Sequence, residues 1–436
     1  MNPLKVSIIG AGLAGCEAAY QLSKAKIYVD LYEQKPLNFS SAHTLETFSE
    51  LVCSNSLRSD STNNAVGILK QELRKLDSLI MKAADANKIP AGSSLAVDRL
   101  LFSEYITKHI KNNPYIKVIT KEVDHIIPGP LIIASGPLTS EKLINPISKL
   151  LNSDSLYFYD AIAPIIEKDS INFDIAYYKS RYSLDKDYIN CPMTKDQFNL
   201  FYDYLIKANT IKLKDFEKEI YFEGCMPIEV MAKRGRQTLL FGPLKPVGLE
   251  YNDKKPFAVI QLRQDNIIDT MYNIVGFQTN LTYSEQKNLI KLIPGLENAN
   301  IIRYGIMHKN TYINAPKLLE NTYQLKDQHN IFIAGQLSGV EGYVESTSSG
   351  LLAGINMALY IKNKPLLTLN NETIIGSMIT YISNSNNNKF QPMNANFGIC
   401  KFNTTIDKSI RKQDYYNNSI KHIDNINKYL KDTIYN

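Results

Sequence analysis

The sequence predicts an α/β fold in which a nucleotide-binding domain is interrupted by a smaller inserted α/β domain. Three observations predict it. A strand, glycine turn, helix, strand and acid follow one another over residues 4 to 33. A second strand-and-glycine unit begins at 331, nearly three hundred residues later. Between the two, the chain changes character near residue 183, toward charged helices, short strands and frequent turn residues. A chain of 436 residues also exceeds one small core and suggests two or three domains.

The first unit carries the strongest pattern. Lys5-Val6-Ser7-Ile8-Ile9 reads as a short buried strand, and 13 to 25 as a helix with Ala14, Ala18, Ala19 and Leu22 on one face. A second strand over 27 to 32 ends at Glu33. The turn Gly10-Ala11-Gly12-Leu13-Ala14-Gly15 fits G-x-G-x-x-G. Its first glycine allows the tight turn, Gly12 lets the backbone approach a pyrophosphate, and Gly15 lets the helix pack on the sheet. The helix N-terminus offers free N–H groups to phosphate. Glu33 is placed to accept from ribose hydroxyls, and its charge argues against a 2′-phosphate there. The expectation is a Rossmann-like domain.

Residues 36 to 64 are rich in Ser, Thr and Asn and read as loop. Helical spacing returns over 66 to 86 and 98 to 112. Short strands over 115 to 134 close on Ala134-Ser135-Gly136-Pro137, a small-residue turn of the kind that lies against a nucleotide. The inserted domain is expected over 186–315, between a first part at 1–185 and a second at 316–436. The second part opens with Ile331-Phe332-Ile333-Ala334-Gly335-Gln336 and runs through Gly339, Gly342 and Ser346 into a helix, 347 to 361. A glycine turn leading into another helix N-terminus can hold a flavin edge, where the dipole favours negative charge on the reduced ring, and this favours FAD over NAD. The last thirty or so residues read as a helix containing Lys and Tyr.

Composition bounds the partners. Apolar residues make up 44% and charged residues 21%, an ordinary globular balance. No apolar run is long enough to span a membrane, and the N-terminus reads directly into a strand rather than a signal peptide, so a cytoplasmic protein is expected. The net charge of +6 is compatible with RNA, and equally with a biased composition rich in Lys, Asn, Ile and Tyr. The five cysteines, Cys16, Cys53, Cys191, Cys225 and Cys400, form no CxxC pair, so no zinc ribbon is expected.

Several long strings go beyond what a nucleotide fold needs: GAGLAGCEAAYQL at 10–22, ELVCSNSLRSD at 50–60, RQTLLFGPLKPVGLE at 236–250, AGQLSGVEGYVES at 334–346 and FQPMNANFG at 390–398. In these the chain resembles the folate- and FAD-dependent tRNA (uracil-5-)-methyltransferases of bacteria, over nearly its whole length. The resemblance implies FAD reduced by NADH or NADPH, 5,10-methylenetetrahydrofolate as carbon donor, and methylation of uracil C5, in tRNA at the T-loop uridine. Nothing in the motifs reads an RNA sequence, so ribosomal RNA stays open as the target, as does a flavin oxidoreductase without RNA. Monomer and homodimer stay open too.

Uracil C5 becomes nucleophilic when a thiolate adds at C6, and a base must later take the C5 proton. The resemblance implies Cys225, in a turn rich in Gly and Pro, as the nucleophile, and Cys53 as the flavin-side cysteine, guard or base. The residues themselves leave the two roles exchangeable. Cys16 and Cys191 read as packing residues, and Cys400 is given no role. Further candidates are His43, Arg58 and Arg99 for flavin, phosphate or RNA, Glu341 and Tyr343 in the second glycine unit, and two basic clusters, Lys233 with Arg234 and Arg236, and Lys408 with Arg411 and Lys412. The cysteines would meet across a domain interface, which predicts domain movement or a flipped-out base.

Overall fold

The computed structural model describes residues 5–435, apart from 154–155, 182–183, 212–220, 222–225, 253, 387–389, 404 and 408. Cys225 and Lys408 therefore lie outside the described residues.

The strand Lys5–Ile9 is the middle of a five-stranded sheet. Across the sheet the order is Ile331–Ile333, Leu131–Ile133, Lys5–Ile9, Tyr28–Glu33 and Ile116–Thr120, all parallel. Apolar runs such as Leu131-Ile132-Ile133 are wholly buried, as a sheet covered on both faces requires. The strand at 331 enters this sheet beside the strand at 131, so the nucleotide domain is discontinuous in the chain.

The helices Leu13–Lys24 and Tyr343–Ile361 cover the sheet together. A Cβ on Gly350 would fall 2.2 Å from the Ala14 carbonyl oxygen, and one on Gly354 would fall 2.8 Å from the Ala18 Cα. Small residues on both helices let the backbones touch, which brings both N-termini to the same edge of the sheet. The single helix expected over 66–86 is two, Ala65–Lys75 and Leu79–Ala86. Asp77 adopts a left-handed φ of 64°, and Ser78 caps the second helix by accepting from the Met81 N–H at 3.2 Å. Within the expected loop, Ser56–Ser59 pairs with Ser94–Val97, and Lys88–Ile89 extends that small antiparallel sheet.

The second body has its own core, including Phe198, Phe201, Tyr272 and Phe277. Its six-stranded antiparallel sheet runs Tyr177–Tyr178, Tyr188–Met193, Ala258–Gln264, Met271–Ile274, Ile165–Glu167 and Ile301–Arg303. Two of these strands precede residue 186, where the insertion was expected to begin. Their partners lie far along the chain, so local composition does not mark them. An antiparallel ribbon of Leu156–Ala161 with Met307–Tyr312 joins the two bodies. The C-terminal helix forms over Arg411–Leu430. No described helix is long and apolar enough to cross a membrane.

Candidate active site

The carboxyl ends of the parallel strands open a cleft at the place where such sheets bind nucleotides. Gly10 to Ala14 line one side, with Glu33. Gly136 lines another, and Gly335, Gln336 and Tyr343 close it. Gly10 has φ +99° and a Cβ there would sit 2.5 Å from the Ala134 carbonyl oxygen, so the turn admits only glycine. Gly12 precedes the first helix in an extended conformation with no side-chain cap, and a Cβ there would meet nothing within 4 Å. The helix beginning at Tyr343 is likewise uncapped, behind Gly342 at φ +112°. Two helix N-termini thus present unmet N–H groups to one cleft, a pyrophosphate and flavin-edge arrangement. Glu33 is buried, and its carboxylate accepts from the Ala11 N–H at 2.9 Å and the Lys35 N–H at 3.0 Å. Each oxygen keeps a lone pair for a hydroxyl. These residues fit an FAD. Gly15 supports the turn from behind rather than lining it: its Cβ would fall 1.8 Å from the Gly10 carbonyl oxygen.

The cleft continues into a second pocket, sharing Val52, Pro137, Gln336 and Tyr343 with it. Cys53 and Gly342 line this pocket. The Tyr343 hydroxyl accepts from the backbone N–H of Cys53 at 2.8 Å and of Ser54 at 3.2 Å, so the second glycine unit fixes the cysteine loop. The Cys53 thiol makes one long contact, 3.7 Å, to the Ala161 carbonyl. Burial first, and the charge of Asp160 second, push this thiol up, so it is held protonated. A base role for Cys53 requires a bound group to bring it down.

Arg99 lines neither pocket. Its guanidinium donates to the Leu51 carbonyl at 2.7 Å and to Asp265 at 2.9 and 3.0 Å, tying the cysteine loop to the second body. It thus forms a buried ion pair behind the pocket, where its charge acts on Tyr343 and Cys53. Arg263 does similar work, donating to Asn55 at 3.0 Å and Ser54 at 2.7 Å. His43 lines the nucleotide cleft within 2.6 Å of the Ser40 hydroxyl. Burial, then the Lys35 charge, lowers it to about 4, so it is neutral at pH 7. Arg58 pairs with Glu345.

Three residues that the sequence reading passed over meet in the second pocket. Asp160, His308 and Asn310 come from the connecting ribbon. The His308 Nε2 lies 3.7 Å from Asp160, and the Asn310 amide donates to Asp160 at 3.5 Å. Asp160 Oδ1, His308 Nδ1 and Asn310 Oδ1 are buried with no partner among the described residues. Buried polar atoms are rarely left so, which marks the pocket as built for a polar ligand. The available signal was the alternation in Met307-His308-Lys309-Asn310, where the buried positions of a strand are polar.

A family model for glucose inhibited division protein A matches residues 5–365. The methylenetetrahydrofolate--tRNA-(uracil-5-)-methyltransferase TrmFO of Bacillus subtilis (strain 168) is 55% identical over 435 residues, covering 99% of this chain and 100% of the relative. The chain belongs to this family. TrmFO of Bacillus licheniformis is 56% identical over 98% of the chain and 99% of the relative, and that of Staphylococcus carnosus is 54% identical over the same shares. In the solved structures, GidA of Aquifex aeolicus superposes with a TM-score of 0.74 at 19% identity, covering 98% of this chain and 76% of that one, a likeness of fold.

Three of the five strings that suggested the TrmFO family, 50–60, 334–346 and 390–398, meet at the second pocket. Met393 donates its N–H to Gly339 at 3.1 Å and accepts from Glu341 at 2.9 Å, so the 390–398 segment lies along 334–346. Ala395 donates to Glu345 at 2.7 Å, and Asn394 lines the pocket. The last described residue before Cys225 is Tyr221, bridged to Tyr159 on the ribbon strand whose Ala161 accepts from Cys53. Of the basic residues, Arg236 is engaged on its own surface, donating to Asn199 and Asp203 at 2.9 Å each. Lys412 donates to the Asn63 carbonyl at 3.3 Å and lies over the Phe397 ring. Lys233 and Arg234 are exposed.

Proposed function

We propose that the chain is a folate- and FAD-dependent methyltransferase that forms 5-methyluridine in tRNA, at the T-loop uridine, in the cytoplasm. The carbon comes from 5,10-methylenetetrahydrofolate and the reducing equivalents from NADH or NADPH. The observation that carries the reading is the near-complete coverage, at about 55% identity, by relatives bearing that activity in their names. The geometry agrees, because the nucleotide cleft opens directly onto a polar pocket beside Cys53.

Bound FAD supplies hydride transfer and carriage of the one-carbon unit. The protein's part is positional and acid–base. The uncapped helix N-termini behind Gly12 and Gly342 hold the charged parts of the cofactor, and Glu33 holds its ribose. Tyr343 fixes the Cys53 loop at the mouth shared by the two clefts. Cys225 is the nucleophile for uracil C6, and Cys53 serves the flavin side. The uridine reaches them flipped out of its loop, since C5 and C6 must both be approached.

The test supplies the purified protein with FAD, NADPH, methylene-labelled folate and a tRNA transcript. Label in the T-loop uridine is expected, with a covalent adduct to 5-fluorouracil-containing RNA that disappears in Cys225→Ala. Label in a large-subunit rRNA transcript alone would move the substrate to ribosomal RNA. NADPH oxidation with no label in either RNA would leave a flavin oxidoreductase.

A further inference from the structure

The second pocket holds one more ionisable group that the roles above leave unused. Glu341 lines it beside Cys53 and Tyr343, and the residue is 7% exposed. Among the described residues, its carboxyl meets only the neutral Gln336 amide as a side-chain donor. Asp160, on the ribbon strand, and Glu345, one turn into the following helix, both act on it as like charges. The cation on this side, Arg58, is paired with Glu345, and its pull on Glu341 is smaller than the push of either carboxylate. Among the described residues, His308 and Cys53 also line the pocket; Arg99 acts on Cys53, and Arg303 acts on both. Burial first, then Asp160 and Glu345, hold the Glu341 carboxyl well above the usual carboxylate range. Crowded carboxylates out of water keep a proton on one of their number.

The proposed reaction needs such a proton. The uracil C5–H bond breaks and C5 gains the one-carbon unit. Both carbon–nitrogen bonds of the folate's methylene bridge break, each leaving its electron pair on nitrogen. The nicotinamide hydride completes the methyl group. The two nitrogens take up two protons while C5 releases one, so each turnover draws one proton from solvent.

We propose that Glu341 is a catalytic acid of this methyl transfer, handing its proton to a folate nitrogen as the carbon–nitrogen bond breaks. The inference rests on the proposed function. The carboxylate left behind faces Asp160 and Glu345, and that repulsion drives it to recover a proton from C5 or from solvent. Gln336, whose amide donates to Glu341, positions the group.

The experiment compares wild type with Glu341→Gln, which keeps shape and neutrality but has no proton to give, and with Glu341→Asp, which keeps the acid. Each is purified with its flavin, melted to check folding, and followed in single-turnover methyl transfer from methylenetetrahydrofolate to tRNA across pH. A general acid contributes about a hundredfold or more. Glu341→Gln is expected to melt and bind flavin like wild type, to transfer methyl at least a hundredfold more slowly, and to lose the alkaline limb of the pH profile. Infrared difference spectra should show a protonated-carboxyl stretch in wild type that Glu341→Gln lacks. Glu341→Asp is expected to recover part of the rate with a displaced limb. Wild-type rates in Glu341→Gln, no carboxyl band in wild type, or equal losses in both variants would overturn the proposal. A wild type that labels no RNA overturns the proposed function and takes this one with it.

Discussion

Two alanine substitutions three residues apart separate what the glycine turn does for the fold from what it does for the ligand. At Gly15 an added Cβ would lie 1.8 Å from the Gly10 carbonyl oxygen. An ordinary carbon–oxygen contact is about 3.3 Å, so helix and turn must separate by roughly 1.5 Å. The opposing atom is backbone and cannot swing away. Overpacking of this kind costs about 1–3 kcal/mol, and an immovable partner puts Gly15→Ala at the upper end. At Gly12 the backbone is already extended, with φ −77° and ψ −171°, and the added Cβ meets no protein atom within 4 Å. Gly12→Ala should therefore fold as wild type does. Its methyl group projects where a pyrophosphate must come within about 2.9 Å of the helix N–H groups. A loss of at least tenfold in FAD affinity, or ~1.4 kcal/mol, is expected. The assay is a pair of measurements on each flavin-free variant, thermal melting and titration with FAD. Gly15→Ala should melt several degrees lower, and Gly12→Ala should melt normally but bind weakly. Wild-type FAD affinity in Gly12→Ala would refute the assignment of this cleft to the pyrophosphate.

Two more predictions concern buried groups. Tyr343→Phe removes the acceptor for the Cys53 and Ser54 N–H groups, at 2.8 and 3.2 Å, which should cost about 1–3 kcal/mol. It should also speed alkylation of Cys53 by a thiol reagent, and unchanged labelling would show that the hydroxyl does not hold the loop. Glu72 is wholly buried and accepts from the N–H groups of Ile374 and Ile375 and from the Ser419 hydroxyl. Burial raises it from 4.5 to about 7. Below pH 4.5 folded and unfolded chains both carry the proton. Between 4.5 and 7 only the folded chain keeps it, so stability falls as pH rises and the loss is complete above 7, on the order of 3 kcal/mol. Denaturation at pH 5 and pH 8 should show a fall in stability that is smaller in Glu72→Gln than in wild type, since Glu341, Glu17 and Glu229 are also raised and keep their share of it; parallel slopes would sink the prediction.

The legibility of the site followed the reach of each signal. The glycine turn and Glu33 were readable because a strand, a helix and an acid within thirty residues must obey one local geometry. Tyr343 and Gln336 were readable as part of a second such turn. The tie that Arg99 makes was not readable, because its partner, Asp265, comes from the other body, and an arginine's charge does not announce which carboxylate it will meet. Asp160 and His308 were missed because each is ordinary in its own segment. Only the pairing of the two ribbon strands sets them opposite each other.

By itself, then, the sequence determined the nucleotide-binding unit, its interruption, and through the long strings around Cys53, Gly335 and Asn394 the family. Those are properties of contiguous residues, where steric rules and recognisable strings operate. Tertiary structure alone decided where the second sheet begins, that Arg99 is a tie between bodies, and that three buried polar atoms and the Glu341 carboxyl share a pocket with Cys53. Burial and like-charge crowding are sums over neighbours from distant parts of the chain, and a residue acquires them only when the fold brings those neighbours in.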